Sequence, residues 1–92
     1  MSHYDPFLEE VVVIEEKEKK EHQLILHNDD FNTFQWVIEC LMTVCNHEER
    51  QAEQCSWIVH NNGRCTIKEG SYSKLKPMKE GLQDKGLSVT IE

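Results

Sequence analysis

The chain reads as an α+β fold: a small three-stranded antiparallel sheet covered by three helices, in the order β-α-α-β-α-β. Three observations carry that reading. Residues 24–37 pass from a dense apolar run, through the polar cluster Asn28, Asp29 and Asp30, into an apolar pattern of helical spacing, so a strand hands over to a helix at an acidic turn. Two further stretches repeat apolar residues three and four apart, the first of them closed by Asn61-Asn62-Gly63. Short alternating runs follow both, which supplies the remaining strands of one layer.

Residues 1–22 contain Phe7, Leu8 and the run Val11-Val12-Val13-Ile14, then a charged block over residues 15–21. That block has no apolar face to bury, so residues 1–22 are expected to form a flexible N-terminal extension, with the folded core at 23–92. The Val-Ile run fits either an edge strand or an exposed docking element.

Residues 23–27 hold Leu24, Ile25 and Leu26 in succession, as in a strand buried on both faces. Asn32 or Thr33 can cap the following helix by accepting from an early backbone N–H. Phe34, Val37, Ile38, Leu41, Met42 and Cys45 then form one apolar stripe. Asn46 and His47 interrupt it. A second helix over residues 48–60 turns Ala52, Cys55, Ile58 and Val59 inward and Glu48, Glu49, Arg50, Glu53 and Gln54 outward. It stops at Asn61-Asn62-Gly63, residue types that tolerate the left-handed conformation. Residues 64–68 alternate Cys65 and Ile67 with polar neighbours, as a second strand. Gly70 and Ser71 lead into a third helix with Tyr72, Leu75, Met78 and Leu82 on one face. With Ser73 as its cap, Pro77 falls at the fourth position, where a missing donor removes nothing. Gly86 ends that helix, and residues 87–91 alternate as the last strand.

Ninety-two residues make one domain with a modest core. Seventeen acids against ten Lys and Arg give a net charge of −7, which argues against a phosphate-tracking surface, so no nucleic-acid partner is expected. No apolar run is long enough to span a bilayer, and Asp5, Glu9 and Glu10 stand where a signal peptide would be basic and then apolar. The expectation is a soluble cytoplasmic chain without a membrane partner. Cys40, Cys45, Cys55 and Cys65 form no CxxC pair and read as structural thiols, Cys40 as a small buried hydrophobe. The histidines at 3, 22, 27, 47 and 60 fit no standard ligand spacing, so neither metal nor cofactor is expected.

Asn28, Asp29 and Asp30 can act simply as a helix-capping turn. Their acceptor oxygens can equally hold a cation: a protonated amine asks for three acceptors in a tetrahedral fan, fewer than a divalent metal requires. His60, near the end of the second helix, fits either a helix-terminal cation or a neutral imidazole accepting from the same amine, and the second role needs His60 beside Asn28 in space. Phe34, Trp36, Val37, Trp57 and Val59 read first as core packing. A Cys, His60 and Asp30 triad is set aside because each cysteine lies on an apolar stripe or in a strand, away from a helix start that would lower its pKa.

Three pieces of the chain resemble the ClpS family of N-degron adaptors, over about residues 23–92. They are Leu26-His27-Asn28-Asp29-Asp30-Phe31 with residues 34–37, then Val59-His60-Asn61-Asn62-Gly63, then Leu87-Ser88-Val89-Thr90-Ile91-Glu92. The resemblance implies a non-enzymatic adaptor that captures substrate proteins by a bulky hydrophobic or aromatic first residue. It would deliver them to a Clp-type AAA+ unfoldase and peptidase by docking on the unfoldase's N-terminal domain. It implies that Asn28, Asp30 and His60, with Asp29 beside them, bind the substrate α-amino group. It assigns the side-chain pocket to Asn32, Phe34, Val37, Ser56, Val59 and Leu87. Phe34 stands where many members have Met, Ser56 where a larger apolar residue is common, and Asn32-Thr33 where Thr-Pro is frequent; these differences bear on side-chain preference. The third helix would carry part of the docking surface. The other reading is a general peptide or partner-binding module whose acidic corner only caps a helix.

Overall fold

Three consecutive buried residues demand a strand with neighbours on both sides, and that is where the chain puts them. In the computed structural model, which describes residues 20–92, β1 (His22–His27) is the central strand of a three-stranded sheet ordered β2-β1-β3. Expectations for the Val-Ile run and for the charged block through Lys19 lie outside the described residues. Both neighbours, β2 (Arg64–Gly70) and β3 (Ser88–Ile91), run antiparallel to β1. Leu24, Ile25 and Leu26 are each at most 1% exposed, and Leu24 and Leu26 join the main apolar cluster with residues from all three helices.

The register between β1 and β2 shifts at Leu24/Ile25: Leu24 pairs with Lys68 and Ile25 with Thr66, which leaves Ile67 as the extra residue of a bulge. His47 answers it. Its Nε2–H donates to the Ile67 carbonyl at 2.7 Å, and the ring is 4% exposed. Asn46-His47 is therefore more than a break between helices, because the imidazole closes a bulge on a strand twenty residues away in sequence.

The first helix, α1 (Phe34–Val44), is capped by Thr33, whose Oγ1 accepts from the Trp36 N–H at 3.1 Å. Ile38, Cys40 and Leu41 are its buried residues, and the C-cap Cys45 is also buried. Phe34 and Met42, expected on the buried stripe, are 39% and 37% exposed. The second helix, α2 (Glu49–Asn62), buries Ala52, Cys55, Ser56 and Val59. This i, i+3, i+4, i+7 set leaves Ile58 off the stripe at 42% exposure, in place of its expected inward position. The helix runs through Asn61 and Asn62 because Gly63, at φ 91°, takes the left-handed position.

The third helix, α3 (Tyr72–Asp84), is capped by Ser71 rather than Ser73: Ser71 Oγ accepts from the Lys74 N–H at 3.2 Å. Pro77 is thus the sixth helical residue, past the first turn, so its ring removes one i→i−4 donor instead of occupying an orphan position. Leu75 and Leu82, fully buried, anchor the helix on the sheet. Its end is a Schellman motif in which Leu87 N–H donates to Leu82 O at 3.0 Å and Gly86 N–H to Gln83 O at 2.9 Å. Gly86 supplies the positive φ, 89°, and the buried pair Leu82 and Leu87 supplies the apolar contact that accompanies such ends. The three helices and the antiparallel sheet, in the order β-α-α-β-α-β, agree with the fold read from the sequence. Among the described residues no helix is long and apolar enough to cross a membrane.

Candidate functional site

The exit of β1 and the end of α2 are joined by one backbone bond. Asn28 N–H, the first amide beyond the strand, donates to the carbonyl of Gly63 at 2.9 Å. His60 lies three residues before that glycine, on the last turn of α2. The bond therefore brings the acidic corner and the imidazole to the same opening, a cleft of about 510 Å³ whose lining includes Asn28, Asp30, Val37, Ser56, Val59 and His60. The proximity of His60 to Asn28, which the spacing leaves open, is present.

The three corner residues have different surroundings. Asp29 is committed inward: its Oδ1 accepts from the N–H groups of Phe31 and Asn32, both at 2.9 Å, and its Oδ2 from the Asn32 side-chain amide at 2.8 Å. Partial burial alone pushes the Asp29 carboxyl up, but the bonds from the Asn32 backbone, the Asn32 side chain and the Phe31 backbone outweigh it and hold the carboxyl below its ordinary value. Asn32 also donates to Gly86 O at 2.9 Å, so the turn is fastened to the end of α3. Asp29 and Asn32 line the cleft, yet the Asp29 carboxylate and the Asn32 N–H groups are occupied in building it. Asn28 and Asp30 are exposed, and neither side chain makes a hydrogen bond among the described residues. Their acceptors are free to meet a ligand. His60 is likewise exposed, its ring edge-on to Trp57 with centroids 6.4 Å apart.

The apolar part of the cleft comes from two helices. Phe34 and Val37 project from α1, and Ser56, Trp57 and Val59 from α2. Ser56 is 4% exposed, and its hydroxyl donates to the Ala52 carbonyl at 2.8 Å, so it presents no unmet polar atom. Of the residues named as pocket walls from the sequence, Leu87 is the one that the cleft does not include. It is 4% exposed and belongs to the core cluster, because the Schellman turn folds it back onto Leu82. Sequence reasoning left Leu26, His27 and Trp57 out of the lining. Trp57 carried a usable signal, since it lies at i, i+3 from His60, a spacing that places both on one helical face. Among the described residues no group of three or more His, Cys, Asp or Glu is placed to hold a metal ion.

Fold and cleft together define a small α+β domain in which a strand-exit corner and a helix end share one opening. The family model described as "ATP-dependent Clp protease adaptor protein ClpS" matches residues 17–90, and the chain belongs to the ClpS family. A ClpS adapter protein from Clostridium acetobutylicum is 43% identical over 44 residues, 48% of this chain and 44% of that one. One from Shewanella halifaxensis is 33% identical over 57 residues, 62% of this chain and 56% of its own length. The chain thus spans about half the length of these two relatives. A longer match, to the ClpS adapter protein of Wolinella succinogenes, is 33% identical over 85 residues, 88% of this chain and 80% of that protein. Among solved structures, Agrobacterium tumefaciens ClpS2 bound to L-phenylalaninamide superimposes with a TM-score of 0.68, covering 79% of this chain and 95% of that one at 22% identity, and so shares the fold.

Proposed function

We propose that this chain is a cytoplasmic ClpS-type adaptor that holds the α-amino group and first side chain of a substrate protein and presents it to the N-terminal domain of a Clp-type AAA+ unfoldase. Asn28 Oδ1, the Asp30 carboxylate and one ring nitrogen of His60 accept from the ammonium. Phe34, Val37, Ser56 and Val59 receive the side chain. Asp29 and Asn32 position the corner. The observation that carries this reading is the Asn28 to Gly63 bond, since it puts three otherwise uncommitted polar side chains around one cleft with an apolar interior.

The chemistry suits an amine better than a metal or a bare helix cap. A peptide α-amino group has a pKa of roughly 7.7–8.0, so near neutral pH it offers three N–H donors with a positive charge. Charge-assisted bonds to a carboxylate are about twice as strong as neutral ones. The capping task of the corner already belongs to Asp29 and Thr33, which leaves Asp30 without a structural partner. That the solved ClpS2 structure holds L-phenylalaninamide, an amino-acid amide with a free amine and an aromatic side chain, supports the same assignment. The thiol-nucleophile alternative is disfavoured at two positions: burial pushes Cys45 up to about 11 and Cys55 up to about 12, far from the range of a nucleophile.

The deciding experiment compares a labelled peptide beginning with Phe against its Nα-acetylated twin by fluorescence anisotropy. The free amine is expected to bind at least tenfold tighter. Equal binding of the pair would remove the ammonium cage.

A further inference from the structure

We infer that Trp57, together with Phe34, makes the cleft select an aromatic first side chain over an aliphatic one; this rests on the proposed capture of a substrate's first residue. Trp57 is 57% exposed although it lines the cleft, and Phe34, which lines it too, is 39% exposed. The two rings meet edge to face, with centroids 5.5 Å apart and planes at 67°. His60 continues the array at 79° to Trp57. Three rings in successive contact thus line the opening, and Val37 and Val59 add aliphatic surface to the same cleft.

The other tryptophan shows what a structural indole looks like in this fold. Trp36 donates its Nε1–H to the Lys85 carbonyl at 3.0 Å, and Lys85 Nζ sits 5.7 Å from its ring centroid. Trp57 has neither kind of tie: its indole N–H makes no hydrogen bond among the described residues, and only the edges of neighbouring rings hold it. Its remaining surface is available to a ligand. The neighbouring residue makes room, because Ser56 is small, buried, and satisfied by Ala52, so it leaves depth without a polar demand. A flat ring entering this space can pack edge to face with Phe34 and Trp57 together. A Leu side chain fills less of the depth and gains no ring interaction. Each aromatic pair is worth roughly two- to twelvefold in affinity beyond area burial.

The test uses the full chain and peptides identical except for a first residue of Trp, Phe or Leu, each with a free amine. Trp and Phe starts are expected to bind about tenfold tighter than the Leu start. Trp57→Leu and, separately, Phe34→Leu should bring that ratio below about threefold by weakening the Trp and Phe starts several-fold more than the Leu start, and Ser56→Met should weaken the Trp start by tenfold or more. Both ring positions are surface-exposed, so circular dichroism should show an intact fold. A Leu start as tight as the Phe start in the unaltered chain, or variants that weaken all starts equally, would overturn the inference. If binding still depends on the free amine in that case, the cage stands and the aromatic wall alone fails; equal binding of acetylated peptides overturns both.

Discussion

Asn28 N–H and the Gly63 carbonyl, 2.9 Å apart, connect the end of the central strand to the end of α2, and every proposed polar contact sits within three residues of one or the other. Gly63 can take this position because its φ of 91° lies in the left-handed region. A Cβ there would meet nothing within 4 Å, so any penalty of substitution is backbone strain alone. Gly63→Ala should destabilise by about 1–2 kcal/mol in urea unfolding. Gly63→Asn should cost less, because Asn tolerates this conformation. Amine-dependent binding should weaken in proportion to how far the substitution shifts the bond to Asn28.

Adjacent carboxylates should behave oppositely on mutation. Asp29 accepts three bonds that shape the turn, so Asp29→Ala should lower stability by about 1–2 kcal/mol, at the low end of what unmade hydrogen bonds cost because the site is partly wet. Asp30→Ala should change stability by less than about 0.5 kcal/mol, as for an exposed residue without partners, and weaken a free-amine peptide by tenfold or more. Paired thermal melts and anisotropy titrations separate the two. The Asp29 carboxyl is held below its ordinary value of 3.8, so its contribution is present at higher pH and fades as pH falls through the depressed value.

His47 gives the fold a pH dependence of its own. Burial makes the imidazole harder to protonate, and nearby Lys68 adds to this, while the bond to Ile67 opposes it; the net shift is below the ordinary 6.5. Above 6.5 the ring is neutral in both folded and unfolded chains and adds no slope. As pH falls below 6.5 the unfolded chain takes up the proton first, so stability declines until the folded value is reached and then levels off. His47→Phe should remove that part of the slope and cost about 1–3 kcal/mol by leaving the buried Ile67 carbonyl unpaired. Melting temperatures between pH 5 and 8 for both chains would check it.

The elements of this fold were legible where one physical signal dominated. Three apolar residues in a row identified the central strand, and Gly63 marked an end whose left-handed conformation only a few residue types adopt. What escaped depends on contacts distant in sequence. A hydrogen bond from His47 to a bulge has no local signature, so the residue looked like punctuation. The family resemblance assigns Leu87 to the pocket wall, but the turn at Gly86 folds it onto Leu82 instead. Ser71 and Ser73 are equivalent as caps in a linear reading; the choice of Ser71 moved Pro77 two positions deeper into the helix. The corner was recognisable as polar, but its division of labour was not. Which acid caps and which is left open depends on the Asn32 amide reaching both Asp29 and Gly86.

Cysteine chemistry offers an independent check on the packing around the cleft. Cys45 is fully buried, and its thiol, pushed up to about 11 chiefly by desolvation, would be only about one thousandth thiolate at pH 8. Cys55 lies one residue before Ser56, and burial with the neighbouring Cys65 sulfur raises it further, to about 12. Cys40, 1% exposed, is also raised, first by burial. Cys65, partly exposed on β2, is the accessible one. Iodoacetamide at pH 8 should therefore label the native chain once, at Cys65, and four times in urea, as read by intact mass. Labelling at Cys65 should leave peptide affinity within about twofold, since that residue does not line the cleft. Rapid native labelling of Cys55 would mean instead that α2 opens around Ser56, and the cleft floor on which the aromatic preference depends would not be fixed.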